Sequence, residues 1–285
     1  MDWKKFLTGK KLGPIFDVLG IKSSESDTDP ETIGFATPMP EPTWAFSRQQ
    51  PGNSYQYESA GIAINRTPSR DFQSISAYAR GHGVTINDML LTAFFRALFG
   101  ILKPVSGIPK EILFSVDLRR YLPEGTRTAI SNLSALECIS ISRISDEPFS
   151  ATLERVKSIM TGIKSQHPGI RSAISCELPV STRFADVLEM VKQSMQKILK
   201  DGKCSPMLSN FSIISPSPLL FGETVAEDVY IVVPFFYAPA FTLGASTYNG
   251  VLTLTAGYYE TATRGKDVAR LLEMVVDELI SCCGL

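Results

Sequence analysis

The chain has 285 residues, 44% of them apolar and 20% charged, with a formal charge of −1. That length holds one large domain or two modest ones with a full hydrophobic core, and the composition is that of an ordinary globular protein. With 28 basic against 29 acidic residues and no long block of lysine or arginine, charge gives no basis for a nucleic-acid partner or a membrane-surface role.

The opening MDWKKFLTGKKLG carries lysines but no apolar h-region, so no signal peptide is expected. No run of about 18 apolar residues exists to span a bilayer, and a soluble, cytoplasmic protein is expected. Residues 2–20 read as a short amphipathic helix on Trp3, Phe6, Leu7 and Ile15, interrupted at Gly13-Pro14. From Lys22 to Gly52 the chain turns polar (SSESDTDPE, then Pro38, Pro40, Pro42 and Pro51) and reads as a linker or surface-hugging segment. This divides the chain into an N-terminal helix and linker over 1–54 and a main domain over 55–285.

The body opens with a strand over Ala60–Ile64 and a helix begun by Thr67-Pro68, carrying Phe72, Ile75 and Ala79 and stopping at Gly81-His82-Gly83. The organising element follows, GVTINDMLLTAFFRALFG. Thr85 and Asp88 stand at capping-box spacing, with Val84 and Met89 placed for a hydrophobic staple. Thr92 and Arg96 are the only polar side chains from Met89 to Leu102, so this helix is expected to be buried on most of its circumference. A strand through Ile112, Phe114 and Val116 runs into DLRRYLP. A second, Leu133–Ile144, sets Ile139 and Ile141 against Ser140 and Ser142, one face dry and one polar.

Two helices come next. The first starts at Pro148 with Phe149, Leu153, Val156 and Ile163. The second, Thr182–Lys200, carries Phe184, Val187, Leu188, Val191, Met195 and Ile198 on one stripe. Strands resume at Leu208–Ile214 and Val229–Phe236. A hairpin of Phe241–Tyr248 and Val251–Tyr258 follows, joined by Asn249-Gly250, the preferred pair for a type I′ turn. A closing helix over Arg264–Cys283 lines up Val268, Leu271, Leu272, Val275, Val276, Leu279 and Ile280. The element order predicts an α/β fold, a mixed β-sheet with helices mainly on one face. Five cysteines (Cys138, Cys176, Cys204, Cys282, Cys283), scattered without CxxC spacing, are expected to be free thiols. No metal-ligand cluster and no phosphate-cradling glycine loop stands in the sequence.

GVTINDMLLTAFFRAL, FSVDLRRYLP with ISNLSA, LSNFSI, and APAFTLGASTYNGVLTLTAGYYE, in that order, resemble the C-terminal half of the chloramphenicol-acetyltransferase-like superfamily. That superfamily includes peptide-synthetase condensation domains, wax-ester synthases and alcohol acetyltransferases, and the likeness runs over roughly Tyr55 to Leu285. The resemblance implies a coenzyme-A-dependent acyltransferase-like half. Its chemistry is acyl transfer from an acyl-coenzyme A or acyl-carrier thioester to a hydroxyl or amine, with no tightly bound cofactor. It also implies a tunnel wall that includes Asn132, Asn210, Ser212, Ser246 and Tyr248, although ordinary turn and edge hydrogen bonding explains the two asparagines as well.

The family's general base is the second histidine of HHxxxD, in the N-terminal half. This chain has two histidines, His82 and His167, and neither stands in that motif, so no catalytic residue is assigned. His82 reads as a turn histidine, His167 as a helix-end or loop histidine, and Asp117 with Arg119 and Arg120 as a structural cluster. Gly244-Ala245-Ser246 lacks the second glycine of a nucleophile elbow and lies inside a strand.

Three readings follow. The first is an acyltransferase part that is not competent alone and works with a separate N-terminal half chain. The second is a non-catalytic binding or interaction module that keeps the tunnel wall and associates as a homo-oligomer or complex, with Phe235, Phe236, Tyr237 and Phe241 left exposed. The third is an autonomous enzyme with relocated catalytic residues.

Overall fold

The computed structural model describes residues 42–45, 59–122, 132–170, 172–173 and 183–284. In chain order these form β1 (Trp44–Ala45), β2 (Ala60–Thr67), α1 (Ser69–Gly81), α2 (Ile86–Leu102), β3 (Pro109–Asp117) and a 3-10 turn (Leu118–Tyr121). Next come β4 (Ser134–Ser142), α3 (Phe149–Lys164), α4 (Phe184–Asp201), β5 (Lys203–Cys204), β6 (Met207–Ile213), β7 (Leu220–Phe221) and β8 (Thr224–Val225). The last are β9 (Phe235–Phe236), β10 (Thr242–Tyr248), β11 (Val251–Tyr259) and α5 (Gly265–Ser281). The predicted helix over 2–20 and most of the predicted linker lie outside the described residues. The chain falls into two units. One is Pro42–Phe114, Ile139–Gly162 and Ile198–Leu285; the other, among the described residues, lies within Ser115–Cys138 and Ile163–Lys197.

In the first unit α2 is the central element. Asp88 Oδ2 accepts the Thr85 N–H at 2.9 Å and Thr85 Oγ1 accepts the Asp88 N–H at 3.2 Å, completing the predicted capping box. From Met89 to Phe99 every residue but Arg96 is buried, each large apolar side chain stabilising by about 1.5–3 kcal/mol. Arg96 is satisfied at the helix flank: its Nε lies 2.5 Å from Glu278 Oε2 and its Nη1 donates to Glu147 O at 2.7 Å.

The main sheet has seven strands in the order β2-β11-β10-β6-β3-β4, with β9 added beside β11. β11 is antiparallel to β2 and β10, whereas β10 and β3 run parallel to β6. Asn249 (φ 48°) and Gly250 (φ 76°) both take positive φ at the β10–β11 turn, as type I′ requires. α5 buries Val268, Leu271, Leu272, Val275, Val276 and Leu279 and packs on α2, β2 and β11, while α1 packs on α2 and β11. α1, α2 and α5 thus pack together against the β2–β11 side of the sheet.

The opposite face of the hairpin is covered by chain rather than by helix. Val229–Phe236 is predicted as a strand, but only Phe235–Phe236 pairs, with Gly257 and Tyr258 of β11. The preceding residues are held by side chains instead: Ser246 Oγ accepts the Ile231 N–H at 3.2 Å and Thr255 Oγ1 donates to Ile231 O at 2.8 Å. Val233 is buried where glycine leaves room, since a Cβ at Gly244 would stand 2.7 Å from Val233 Cγ1. The predicted exposed aromatic patch does not form. Tyr237 stacks on Tyr259 at 4.3 Å, Phe235 meets the same ring at 6.2 Å, and Phe241 lies 6.1 Å from Phe94.

Inside the predicted linker, β1 docks on the body: Trp44 is 1% exposed and its ring lies 5.8 Å from Phe99. The buried Glu111 carboxylate holds it, accepting the Thr43 N–H at 2.5 Å, the Ser205 hydroxyl at 3.0 Å and the Thr43 hydroxyl. α4, by contrast, forms with its apolar stripe as predicted but buries no residue, and Phe184 is 79% exposed.

Candidate functional site

The predicted wall residues Asn210 and Ser212 lie on β6, and Ser246 and Tyr248 on its parallel neighbour β10. The register pairs Ala245 with Asn210 and Thr247 with Ile213, so β6 carries one extra residue and bulges at Phe211–Ser212. Ser212 takes φ 55° there, and Asn210 Oδ1 steadies the bulge by accepting the Ser212 N–H at 2.9 Å. Asn210 Nδ2 reaches Asn87 Oδ1 at 3.4 Å, tying the bulge to the first turn of α2. Asn210 is half-buried and Ser212 exposed. Asn87 is the member of this cluster that sequence reasoning missed; its only signal is a polar residue in the first turn of the helix, two positions after the Thr85 cap.

Ser246 and Tyr248 are placed differently. Both are buried, and their polar atoms are used by backbone: Ser246 Oγ by Ile231 N–H, and Tyr248 OH by donating to Ala226 O at 2.9 Å and accepting the Leu219 N–H at 3.0 Å. Together they anchor the chain between β6 and β9. This chain includes the β7–β8 hairpin, where Leu220 and Phe221 are 64% and 73% exposed.

Asn132 belongs to the second unit. It is exposed, and its Oδ1 accepts the Ser134 N–H at 3.2 Å, an Asx turn leading into β4. In the same unit Asp117 Oδ1 caps the 3-10 turn by accepting the Arg119 N–H at 3.0 Å and pairs with Arg119 Nη1 at 3.2 Å. Tyr121 OH donates to Pro168 O at 2.9 Å, and burial, partly offset by Arg120, raises its pKa. His167, with φ 51°, meets the Tyr121 ring edge-on at 6.1 Å.

His82 sits in the helical layer of the first unit. Its ring stacks on Tyr78 at 4.0 Å, Tyr78 meets Phe149 edge-on, and the His82 carbonyl accepts from Lys157 Nζ at 2.7 Å. Among the described residues neither imidazole is hydrogen-bonded to a carboxylate. Cys138, Cys204, Cys282 and Cys283 are free thiols, and Cys176 lies outside the described residues. Among the described residues no group of three His, Cys, Asp or Glu could hold a metal ion, and no single helix is long and apolar enough to cross a membrane.

No family model and no curated protein matches the chain. Solved structures do. A trichothecene 15-O-acetyltransferase from Fusarium sporotrichioides superposes with a TM-score of 0.63 at 15% identity, over 92% of this chain and 53% of that one. The EpoB cyclization-docking bidomain of a non-ribosomal peptide synthetase from Sorangium cellulosum gives 0.58 at 13% identity, over 95% and 51%. The fold is of the acyltransferase and condensation-domain type. The epimerization domain from the third module of tyrocidine synthetase B shares this condensation-type fold, with a TM-score of 0.56 at 12% identity over 99% of this chain and 58% of that one. The chain thus spans about half the length of the condensation-fold structures it matches.

Proposed function

We propose that this chain is the wall half of a thioester-dependent acyl-transfer tunnel, and that a complementary half supplies the general base. One observation supports the reading: a fold that covers about half of the trichothecene acetyltransferase and of the EpoB bidomain, in a chain whose two histidines both stand outside HHxxxD. Acyl transfer needs a base for the attacking hydroxyl or amine and donors for the tetrahedral oxyanion. In this reading His82, whose ring stacks on Tyr78 and whose Nδ1 bonds the Tyr78 carbonyl, does not serve as that base. In this reading Asn210, Ser212 and Asn87, grouped at the β6 bulge, contact the pantetheine arm of an acyl-coenzyme A or acyl-carrier thioester. The complementary half seats on the exposed Leu220, Phe221 and Ile213.

The engagement of Ser246 and Tyr248 by backbone supports a second reading, a module that binds the thioester without turning it over. Both readings place the ligand at the bulge. Titration with a non-hydrolysable acyl-coenzyme A thioether tests this: binding is expected to weaken in Asn210→Ala/Ser212→Ala, in protein shown by circular dichroism to stay folded despite the loss of the Asn210 bonds to the bulge and to Asn87. Equal affinity in the double variant would remove the bulge from the tunnel wall.

A further inference from the structure

A second concavity lies within the first unit, at the other end of the hairpin from the Asn210 bulge. It is a groove of about 810 Å³ bounded by the end of α2, the start of α5 and the loops on either side of the β10–β11 hairpin. Its walls are apolar, built mainly by Leu98, Ile101, Phe241, Val268, Leu271 and Met274. Gly100 keeps it open where the two helices approach, since a Cβ there would stand 3.1 Å from Met274 Cε. The volume is within the range of small-molecule sites, about 300–1,000 Å³.

The rim is charged and unbalanced. Arg264 Nε lies 2.7 Å from Asp267 Oδ2, so this pair cancels. Lys103 and Arg270, also on the rim, are exposed, and among the described residues neither side chain has an ion-pair or hydrogen-bond partner. An apolar trough with two uncommitted cations at its mouth is complementary to a ligand with one long apolar chain and one anionic end.

We propose that this groove binds a long-chain fatty carboxylate, the chain along Ile101, Leu271 and Met274 and the head against Lys103 and Arg270. The site is independent of the acyl-transfer reading, because it uses neither the bulge nor a complementary half. Affinity rises with chain length as more methylenes leave water, and the two cations discriminate between head groups.

The test is calorimetric titration of the full chain, below the micelle threshold, with tetradecanoate, tetradecanol and tetradecyltrimethylammonium. One saturable site is expected for the carboxylate, with the alcohol about tenfold weaker, the scale of two partly exposed charge contacts, and the cation weaker still. Lys103→Glu/Arg270→Glu should abolish that order, and Ile101→Asp should weaken all three. All three positions are exposed, so melting temperatures should hold. No saturable binding, equal affinity for the three heads, or an unchanged order in the double variant overturns the proposal. So does sedimentation showing a dimer that Ile101→Asp splits, since a second copy would then fill the groove. No turnover is measured, so failure here leaves the acyl-transfer reading untouched.

Discussion

The Tyr78 carbonyl oxygen accepts twice from His82, from its backbone N–H at 3.1 Å and from its ring Nδ1 at 2.9 Å, while the two rings stack. Donation to a carbonyl places the proton on Nδ1. The imidazole thereby closes α1, a structural task that needs the ring and one N–H. His82→Phe keeps the stack and loses the bond, and is expected to cost about 0.5–1.5 kcal/mol in urea unfolding. His82→Ala loses both and should cost more.

Tyr248 connects β10 to two backbone groups seven residues apart, Leu219 N–H and Ala226 O. Tyr248→Phe strands both beneath a buried ring, and a loss of about 1–3 kcal/mol is expected. Hydrogen exchange should speed up over 219–226 and not in α2. Unchanged exchange there would show that the hydroxyl does not anchor the β7–β8 hairpin.

Glu111 is a buried carboxylate whose oxygens accept from Thr43 and Ser205. Glu111→Ala leaves those donors unpaired and should destabilise by about 2–4 kcal/mol. Trp44 reports it directly. In a Trp3→Phe background its emission should shift to the red as β1 leaves Phe99, whereas a disruption elsewhere would leave the spectrum in place.

Burial pushes the Cys204 thiol from 9.0 up to about 11, with Glu111 adding to the shift, and burial followed by Cys283 pushes Cys282 up to about 12. Folded-state values above the ordinary one mean that the folded protein holds these protons more tightly. Their stabilising contribution is therefore whole below about pH 9 and is lost as pH rises toward 11 and 12. Unfolding free energies from urea titrations should fall between about pH 9.5 and 10.5, by up to ~1.4 kcal/mol per pH unit for Cys204, and less steeply in Cys204→Ala. At pH 8 alkylation of both thiols should be slow until the protein unfolds.

What was legible in the sequence was what neighbours decide. The Thr85–Asp88 cap, the Asn249-Gly250 turn and the Ile139/Ile141 alternation each depend on residues a few positions apart, and each formed as expected. Distant partners decided the rest. Trp44 docks because Glu111, 67 residues later, accepts from Thr43 beside it. Ile231 is held to the hairpin by the Ser246 and Thr255 hydroxyls in place of a strand ladder. At the candidate site the motifs located β6 and β10, but only the register reveals the bulge that leaves Asn210 and Ser212 accessible and joins them to Asn87.

The most direct measurement is free-thiol release from acetyl-coenzyme A, with alcohols and amines offered as acceptors to the purified chain and to its His82→Ala and His167→Ala variants. Wild type and both variants are expected to stay at the protein-free rate, with turnover gained only when an HHxxxD-bearing half is added. Transfer by the chain alone that disappears in His82→Ala would contradict this expectation.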